Sequence, residues 1–235
     1  LPSPDSISAD RPLGGVYLMG TDELGRDVFA RMFQGSFVSL SIGFVAVGIS
    51  LGIGILLGGL SGFYGHVKLW FITVDTLIMR FTDAMMCFPT FFLILTAVAL
   101  LPPSIYTIMI IIGLFSWMGT ARFVRAEFLS LREQDYVTAA KALGIPEGRI
   151  IFRHMVPNAL APVFVSATIG VASAILTESG LSFLGFGVPP PDATWGNILS
   201  DGKGFVFDAP WLFFIPGMAI FIVVLAFNLV GEGLR

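Results

Sequence analysis

The sequence predicts an all-α integral membrane protein with five transmembrane helices, and three observations carry that prediction. Of 235 residues, 55% are apolar and only 12% are charged, about half the charged fraction of a soluble domain. The mean hydropathy is +0.87. Asp, Glu, Lys and Arg are absent from four long stretches, 32–67, 84–121, 154–177 and 209–231. Thirteen basic and 16 acidic side chains are too few to clothe a water-exposed surface, which speaks against a soluble enzyme, a nucleic-acid binder or a disordered tail. A net charge of −3 gives no reason to expect a polyanionic partner. The single cysteine, Cys87, excludes an internal disulfide framework and any multi-cysteine metal site.

A helix needs about 20 apolar residues to cross a ~30 Å hydrocarbon core. The first charge-free stretch holds one span, Phe37–Leu60, rich in Gly and Ile. The second is too long for one helix and is cut by Leu101-Pro102-Pro103-Ser104, a turn that cannot continue a helix. It reads as a helical hairpin with spans over Thr82–Leu100 and Ile105–Arg122. The third gives Ala159–Thr177, entered through Pro157 and Pro162, and the fourth gives Trp211–Val230. All five are helical, because irregular backbone and open sheet edges fail in lipid.

Orientation follows from basic residues in the connections. Segment 122–153 carries six of the thirteen, Arg122, Arg125, Arg132, Lys141, Arg149 and Arg153, whereas 178–208 carries Glu178, Asp192, Asp201 and Asp208 against Lys203 alone. The first segment is therefore expected in the cytoplasm with Arg235, and the second outside with residues 1–31. Arg26 and Arg31 oppose this mildly, and Asp22, Glu23 and Asp27 offset them. Five spans leave the termini on opposite sides. A sixth, N-terminal helix ahead of Leu1 is the expectation, with a genuine five-span protein as the alternative. The domain reading is an outer N-terminal segment, 1–35, followed by a membrane domain, 36–235, with a long inner loop over about 127–157 and an outer loop over about 180–208.

The inner loop, DYVTAAKALGIPEGRIIFRHMVPN at 135–158, has helical logic. Tyr136–Leu143 is rich in Ala and Leu. Gly144 stands where a helix C-terminus favours positive φ, and Pro146 where a new helix favours its first residue. A second helix, Pro146–Met155, is expected to stop at Pro157. Small residues Ala139, Ala140 and Ala142 let another surface approach closely. The alternative is an amphipathic helix lying on the membrane.

This loop resembles the "EAA" loop of bacterial ATP-binding-cassette importer permeases. Ala139, Ala140 and Gly144 match its core and Pro157 its later proline, while Thr138 replaces the usual glutamate, so an ion pair made by that glutamate is not carried over. Further segments resemble the dipeptide/oligopeptide branch: GTDELGRDVFARMFQG at 20–35, ARFVRAEFLSLREQDYV at 121–137, RHMVPNALAP at 153–162, LSFLGFGVPPPDATWGNIL at 181–199 and APWLFFIPGMAIFIVVLAFNLVGEGLR at 209–235. The resemblance covers nearly the whole chain from Gly20 and is to the "C" permease subunit. It implies six helices and a cytoplasmic coupling helix docked on an ATPase, with Tyr136, Thr138, Ala139, Ala140, Leu143, Gly144, Glu147 and Arg149 as coupling residues. It also implies a homologous second permease, two ATP-binding subunits and an extracytoplasmic substrate-binding protein, in a bacterial or archaeal cytoplasmic membrane. The expected cargo is di- or oligopeptide. Very similar permeases move nickel chelates, glutathione or haem.

Chemistry is expected elsewhere. No G-x-x-x-x-G-K-[ST], H-E-x-x-H or G-x-S-x-G occurs, so neither a P-loop, nor a cofactor, nor a metal site is expected in this chain, and a membrane-embedded enzyme lacks paired catalytic residues. An ATP-independent secondary transporter or channel would show repeats or broken helices with midplane polar sites; no repeat is evident. His66 and His154 read as capping or interfacial residues, and Cys87 as a small packing residue. Charges near the bilayer are costly. Arg80 and Asp83, three apart, share a helix face and are expected to pair on a helix extending into the cytoplasm. Glu178, Trp195 and Asn197 are candidates for the outer or substrate path. Glu178 alternatively caps a helix end, and Trp195 could begin a short helix parallel to the membrane or anchor in the headgroups. Gly43, Gly48, Gly52, Gly170 and Ala174 are small enough for close helix packing, part of it against a second subunit.

Overall fold

The computed structural model describes residues 17–234; the sidedness expected for residues 1–16 and for Arg235 concerns positions outside these. The described residues are almost entirely helical, with one hairpin, β1 (Lys68–Leu69) against β2 (Ile72–Thr73). Helix α1 spans Val28–Tyr64, beginning before the expected Phe37 because Asp27 caps it, its carboxylate accepting the Phe29 N–H at 2.9 Å. Its 37 residues extend about 56 Å, well beyond a ~30 Å core.

The second span is not the straight helix Thr82–Leu100. It is α2 (Val74–Met86) and α3 (Thr90–Leu100), bent by 79°. Pro89 is the N-cap of α3. Its ring removes an N–H and disfavours helical backbone at Phe88, so one helix becomes two. Cys87 caps α2 on this elbow and is exposed, not packed. Helix α4 (Ile105–Phe115) starts at the expected Pro102–Ser104 turn, with Ser104 accepting from the Thr107 N–H at 3.1 Å. A 42° bend at Ser116 leads into α5 (Trp117–Arg132), so the third span also breaks and then runs ten residues past Arg122.

After α6 (Asp135–Ala142) and α7 (Glu147–Ile150), a π turn over Ile151–Met155 runs directly into α8 (Val156–Phe183). The loop helix therefore does not stop at Pro157. A proline inside a helix clashes with the carbonyl four residues earlier, and widening the turn relieves this: the Val156 N–H reaches Ile151 O, five residues back. Because α8 ends at Phe183, Glu178 lies within it and not at its end. Helix α9 (Trp195–Gly202) and α10 (Trp211–Gly233) complete the chain. Among the described residues, three helices are individually long and apolar enough to span, and five spans result when each bent pair counts as one.

The main core joins α1, α3, α4, α8, α9 and α10 through residues such as Ile42, Ile94, Ile108, Ile175 and Trp195. Lipid gives little hydrophobic drive between helices, so close van der Waals packing does that work. Gly54, Gly58 and Gly62 on α1 recur every four residues and seat α5. A Cβ on Gly58 would lie 2.4 Å from the Ala121 carbonyl oxygen, and one on Gly62 2.5 Å from Phe128 Cβ. Gly43 and Gly170 fill the α1–α8 contact, and Ala174 is buried, so these small residues are used internally; Gly48 and Gly52 face open space. The outward side of α10, with Phe214, Met218, Phe221 and Leu225 exposed, suits hydrocarbon.

Candidate functional site: inner loop, cleft and outer end

The inner loop is built on its own core. Val137, Ala140, Ile150, Met155 and Ala159 pack with Phe63 of α1 and Phe128 of α5. Helix α6 ends in a Schellman motif: Ile145 N–H bonds to Ala140 O at 3.1 Å, Gly144 N–H to Lys141 O at 3.0 Å, and Gly144 takes φ +72°. The expected positive φ at Gly144 is present, whereas Pro146 is the N-cap of α7 and not its first residue. The ammonium of Lys141 stands 5.5 Å over the Phe63 ring, and Arg132 meets His66 at 3.3 Å.

Of the sequence-predicted coupling residues, Tyr136, Thr138, Ala139, Leu143, Gly144, Glu147 and Arg149 are exposed, with Leu143 at 80%. Ala140 is turned inward at 6% exposure, which corrects the expectation that it faces a partner. The reason is helical periodicity: Val137 and Ala140, three apart, share the face that covers Phe63 and Phe128.

At the opposite end, α9 is wedged against α1, α8 and α10. Trp195 is 5% exposed; its indole N–H donates to Met32 O and its backbone N–H to Ser39 Oγ, both at 3.1 Å. It is thus neither a headgroup anchor nor a docking residue. Asn197 forms a capping box with Thr194. The Glu178 carboxylate is fully buried; Oε1 accepts from Ser182 Oγ at 2.7 Å and Thr194 Oγ1 at 2.8 Å, while Oε2 and the nearby Ser179 Oγ have no protein partner. So the three outer candidates take part in fastening α9, Glu178 through Thr194 to α8 and Trp195 to α1, with Asn197 capping its start.

The N-terminal segment is tied down beside them. Asp22 Oδ2 accepts from Arg26 at 2.7 Å and Arg31 at 2.8 Å, and Arg31 also reaches Asp201 at 3.1 Å. Burial would raise the Asp22 carboxyl, but the Arg26 backbone N–H, the Arg26 guanidinium and the Arg31 charge outweigh it and hold it below the ordinary 3.8.

Between the ends runs a cleft that sequence reasoning missed. One lobe of about 260 Å3 lies among α1, α4, α5 and α8, with Ser50, Thr120, Ser166 and Ser173 on its walls. A second, of about 270 Å3, adds Met86, Thr90 and Thr177, and a third, of about 660 Å3, adds Phe123, Pro162 and Val165. Gly119 lines all three, so the lobes adjoin one another at that residue, and no Asp, Glu, Lys or Arg lines any of them. The signal was present in the sequence: Ser166, Gly170, Ser173 and Thr177 recur at helical spacing on one face of α8. Hydroxyls here satisfy themselves on their own helices, Ser116 on Ile112 O at 2.6 Å and Thr177 on Ser173 O at 2.8 Å. The first two lobes therefore present hydroxyls without a fixed charge, while the third, among Phe123, Pro162, Val165 and Ile169, is largely apolar.

The hairpin, Asp75 and Asp83 lie on the inner-loop side. Asp83 does not pair with Arg80, which makes no ion pair among the described residues; it pairs with Arg122 of α5. A carboxylate three residues from its intended partner on an exposed helix is outcompeted by a guanidinium carried in by a neighbouring helix.

The chain resembles known proteins in sequence and in shape. It is 44% identical over 216 residues, 92% of this chain and 69% of the relative, to the dipeptide transport system permease protein DppC of Alkalihalophilus pseudofirmus. It is 39% identical over 229 residues, 97% of this chain and 73% of the relative, to the oligopeptide transport system permease protein OppC of Bacillus subtilis. In fold it matches a chain of the inward-facing MetNI methionine ABC transporter, with TM-score 0.61 and 15% identity over 86% of this chain and 95% of that one. A chain of an amino acid ABC transporter with histidines gives TM-score 0.64 at 14% identity, covering 87% of this chain and 92% of that chain. The family model described as binding-protein-dependent transport system inner membrane component matches residues 50–235; the chain belongs to that family and is a permease of a binding-protein-dependent importer.

Proposed function

We propose that this permease contributes half of a path for di- or oligopeptides and couples it to a cytoplasmic ATPase. The observation that carries the reading is the set of adjoining, uncharged lobes around Gly119, two of them bearing several Ser and Thr hydroxyls and the third largely apolar. A peptide backbone offers N–H and C=O groups whatever its side chains, and Ser and Thr hydroxyls set in an otherwise apolar, uncharged wall accommodate them without selecting a charge. The peptide permeases to which the chain is similar support the same cargo. The lobes are not enclosed by this chain, as a half-path completed by a homologous second permease would require.

The exposed coupling residues, above all Leu143, Gly144, Tyr136, Thr138, Ala139, Glu147 and Arg149, dock on one of two ATP-binding subunits. ATP binding there is the differential ligand that shifts the permease pair between inward- and outward-facing states. A substrate-binding protein delivers cargo at the end formed by residues 17–27 and 178–208. This end faces outward from a bacterial or archaeal cytoplasmic membrane, because the basic loop 122–157 lies at the other.

In the reconstituted four-subunit complex with its binding protein, Gly119→Trp is expected to abolish uptake of a labelled trialanine while leaving assembly and ATP hydrolysis in place. Normal uptake in that variant overturns the assignment of the cleft. Uptake of a nickel chelate, glutathione or haem in place of peptide by the native complex overturns the cargo. In a Cys87→Ser background, an impermeant thiol reagent should label Lys203→Cys in intact cells and spare Lys141→Cys; the reverse pattern inverts the orientation.

A further inference from the structure

Helix α2 contributes almost nothing to the cores. Only Thr82 is buried, and Leu77, Phe81 and Met86 are exposed. Yet it is fastened to α5 at several points. The Asp75 carboxylate takes a two-pronged bond from Arg125, Nη2 to Oδ2 at 2.6 Å, and a further hydrogen bond from Ser61 of α1. Asp83 takes Arg122. The Phe81 ring stacks on Trp117 at 6.0 Å between centroids and 13° between planes.

The two acids lie about 12 Å apart along α2, but their arginines only about 4.5 Å apart along α5. The longer arginine side chains reach across that difference, and both pairs draw α2 towards α5. Paired guanidiniums and carboxylates at such partly exposed positions add little stability. Two of them on one short helix need another reason.

The reason lies in what each helix joins. Helix α5 ends at Arg132, two residues before α6, whose exposed Leu143–Gly144 end forms the coupling face. Helix α2 ends at the elbow, where Met86, Thr90 and Phe91 line the cleft facing Ser116 and Gly119. We propose that the Asp75–Arg125 and Asp83–Arg122 pairs clamp α2 to α5, so that displacement of the coupling loop swings α2 about the Cys87–Pro89 elbow and moves the mouth of the cleft. This rests on the permease reading above and assigns these four side chains as positioning residues within it.

The test uses the complete transporter, reading trialanine uptake per ATP hydrolysed. Asp83→Asn, Arg122→Gln, Asp75→Asn and Arg125→Gln are each expected to preserve assembly and hydrolysis but lower uptake per ATP about tenfold, a typical coupling magnitude. The charge swap Asp83→Arg with Arg122→Asp should restore most of it, as a direct pair requires. Unchanged uptake per ATP in all four variants overturns the clamp. Should a variant fail to assemble, spin labels at Leu77→Cys and Gln134→Cys in the Cys87→Ser background decide the matter in the otherwise native complex. Gln134 is the exposed N-cap of α6, and Leu143 is kept native for ATPase docking. The clamp requires one narrow Leu77–Gln134 distance with and without trapped ATP, and a distance that changes between the two states overturns it. Failure of the native complex to take up peptide would instead count against the cargo reading and leave the ratio to be read with the solute it does carry.

Discussion

At the end of the bundle formed by residues 17–27 and 178–208, polar groups are turned inward and answered by the chain's own atoms: Trp195 by Met32 and Ser39, Thr194 by Glu178 and Asn197, Asp22 by Arg26 and Arg31. At the inner-loop end, the backbone is equally well answered through the Schellman motif, but Leu143 and Phe152 stand 80% and 76% exposed. The difference separates two kinds of polar segment in a membrane protein. One is a plug whose groups are mostly satisfied internally among the helices, with Glu178 Oε2 and Ser179 Oγ the exceptions. The other is a platform whose scaffold is complete and whose outer face is left for another protein.

The largest effect should come from breaking the plug. Trp195→Ala removes a buried aromatic that touches α1 and leaves its hydrogen-bonding partner at Met32 O vacant, at a cost of about 3–5 kcal/mol. Denaturant titration in detergent should show it, together with faster proteolysis of 180–208; an unshifted midpoint would refute the wedge.

Next come two neighbouring alanines that ought to behave oppositely. Ala140→Trp overfills the core beneath the platform and should cost about 1–3 kcal/mol, read as loss of protease protection in the isolated chain. Ala139→Trp, exposed, should leave that protection intact and weaken only ATPase association. Equal behaviour of the two would undo the separation of scaffold from face.

Leu143→Asp should leave stability within about 0.5 kcal/mol yet reduce ATPase pull-down severalfold. Undiminished pull-down would remove Leu143 from the proposed interface.

The smallest expected effect is a pH dependence at the outer end. The folded Asp22 carboxyl lies below its ordinary value, so its contribution is present above about pH 4 and fades as pH falls through the lowered folded value. Pepsin cleavage within 20–31 should therefore rise on acidification in the native chain relative to Asp22→Asn, which lacks the titrating group. Parallel profiles for the two would show that the carboxylate is not what holds the segment.

Runs without charge and the Pro102–Pro103 break placed the helices, because the cost of a charge or an unpaired peptide group in lipid leaves few alternatives. Gly144, flanked by an Ala-rich run and Pro146, located the loop's turn, because positive φ is a local property of one residue. Position within an apolar stretch did not reveal that Pro89 breaks a span while Pro157 and Pro162 do not. That depends on whether neighbours reward the bend, and the π turn over Ile151–Met155 is the local adjustment that carries α8 through. Likewise Ala139 and Ala140 are the same residue to any sequence rule, and only the position of Phe63 and Phe128 decides which is core. Asp83 found Arg122 in preference to Arg80, and Glu178 found Thr194 sixteen residues on, because polar partners in a helical bundle are chosen by which faces meet. Sequence alone therefore determined the apolar spans, their class and the signature of the inner loop, all set by local propensity and transfer free energy, but not the breaks within two of those spans. The cleft at Gly119, the buried outer wedge and the α2–α5 pairs were decided by tertiary packing, since each is made of residues from helices far apart in the chain that acquire a role only when their faces are brought together.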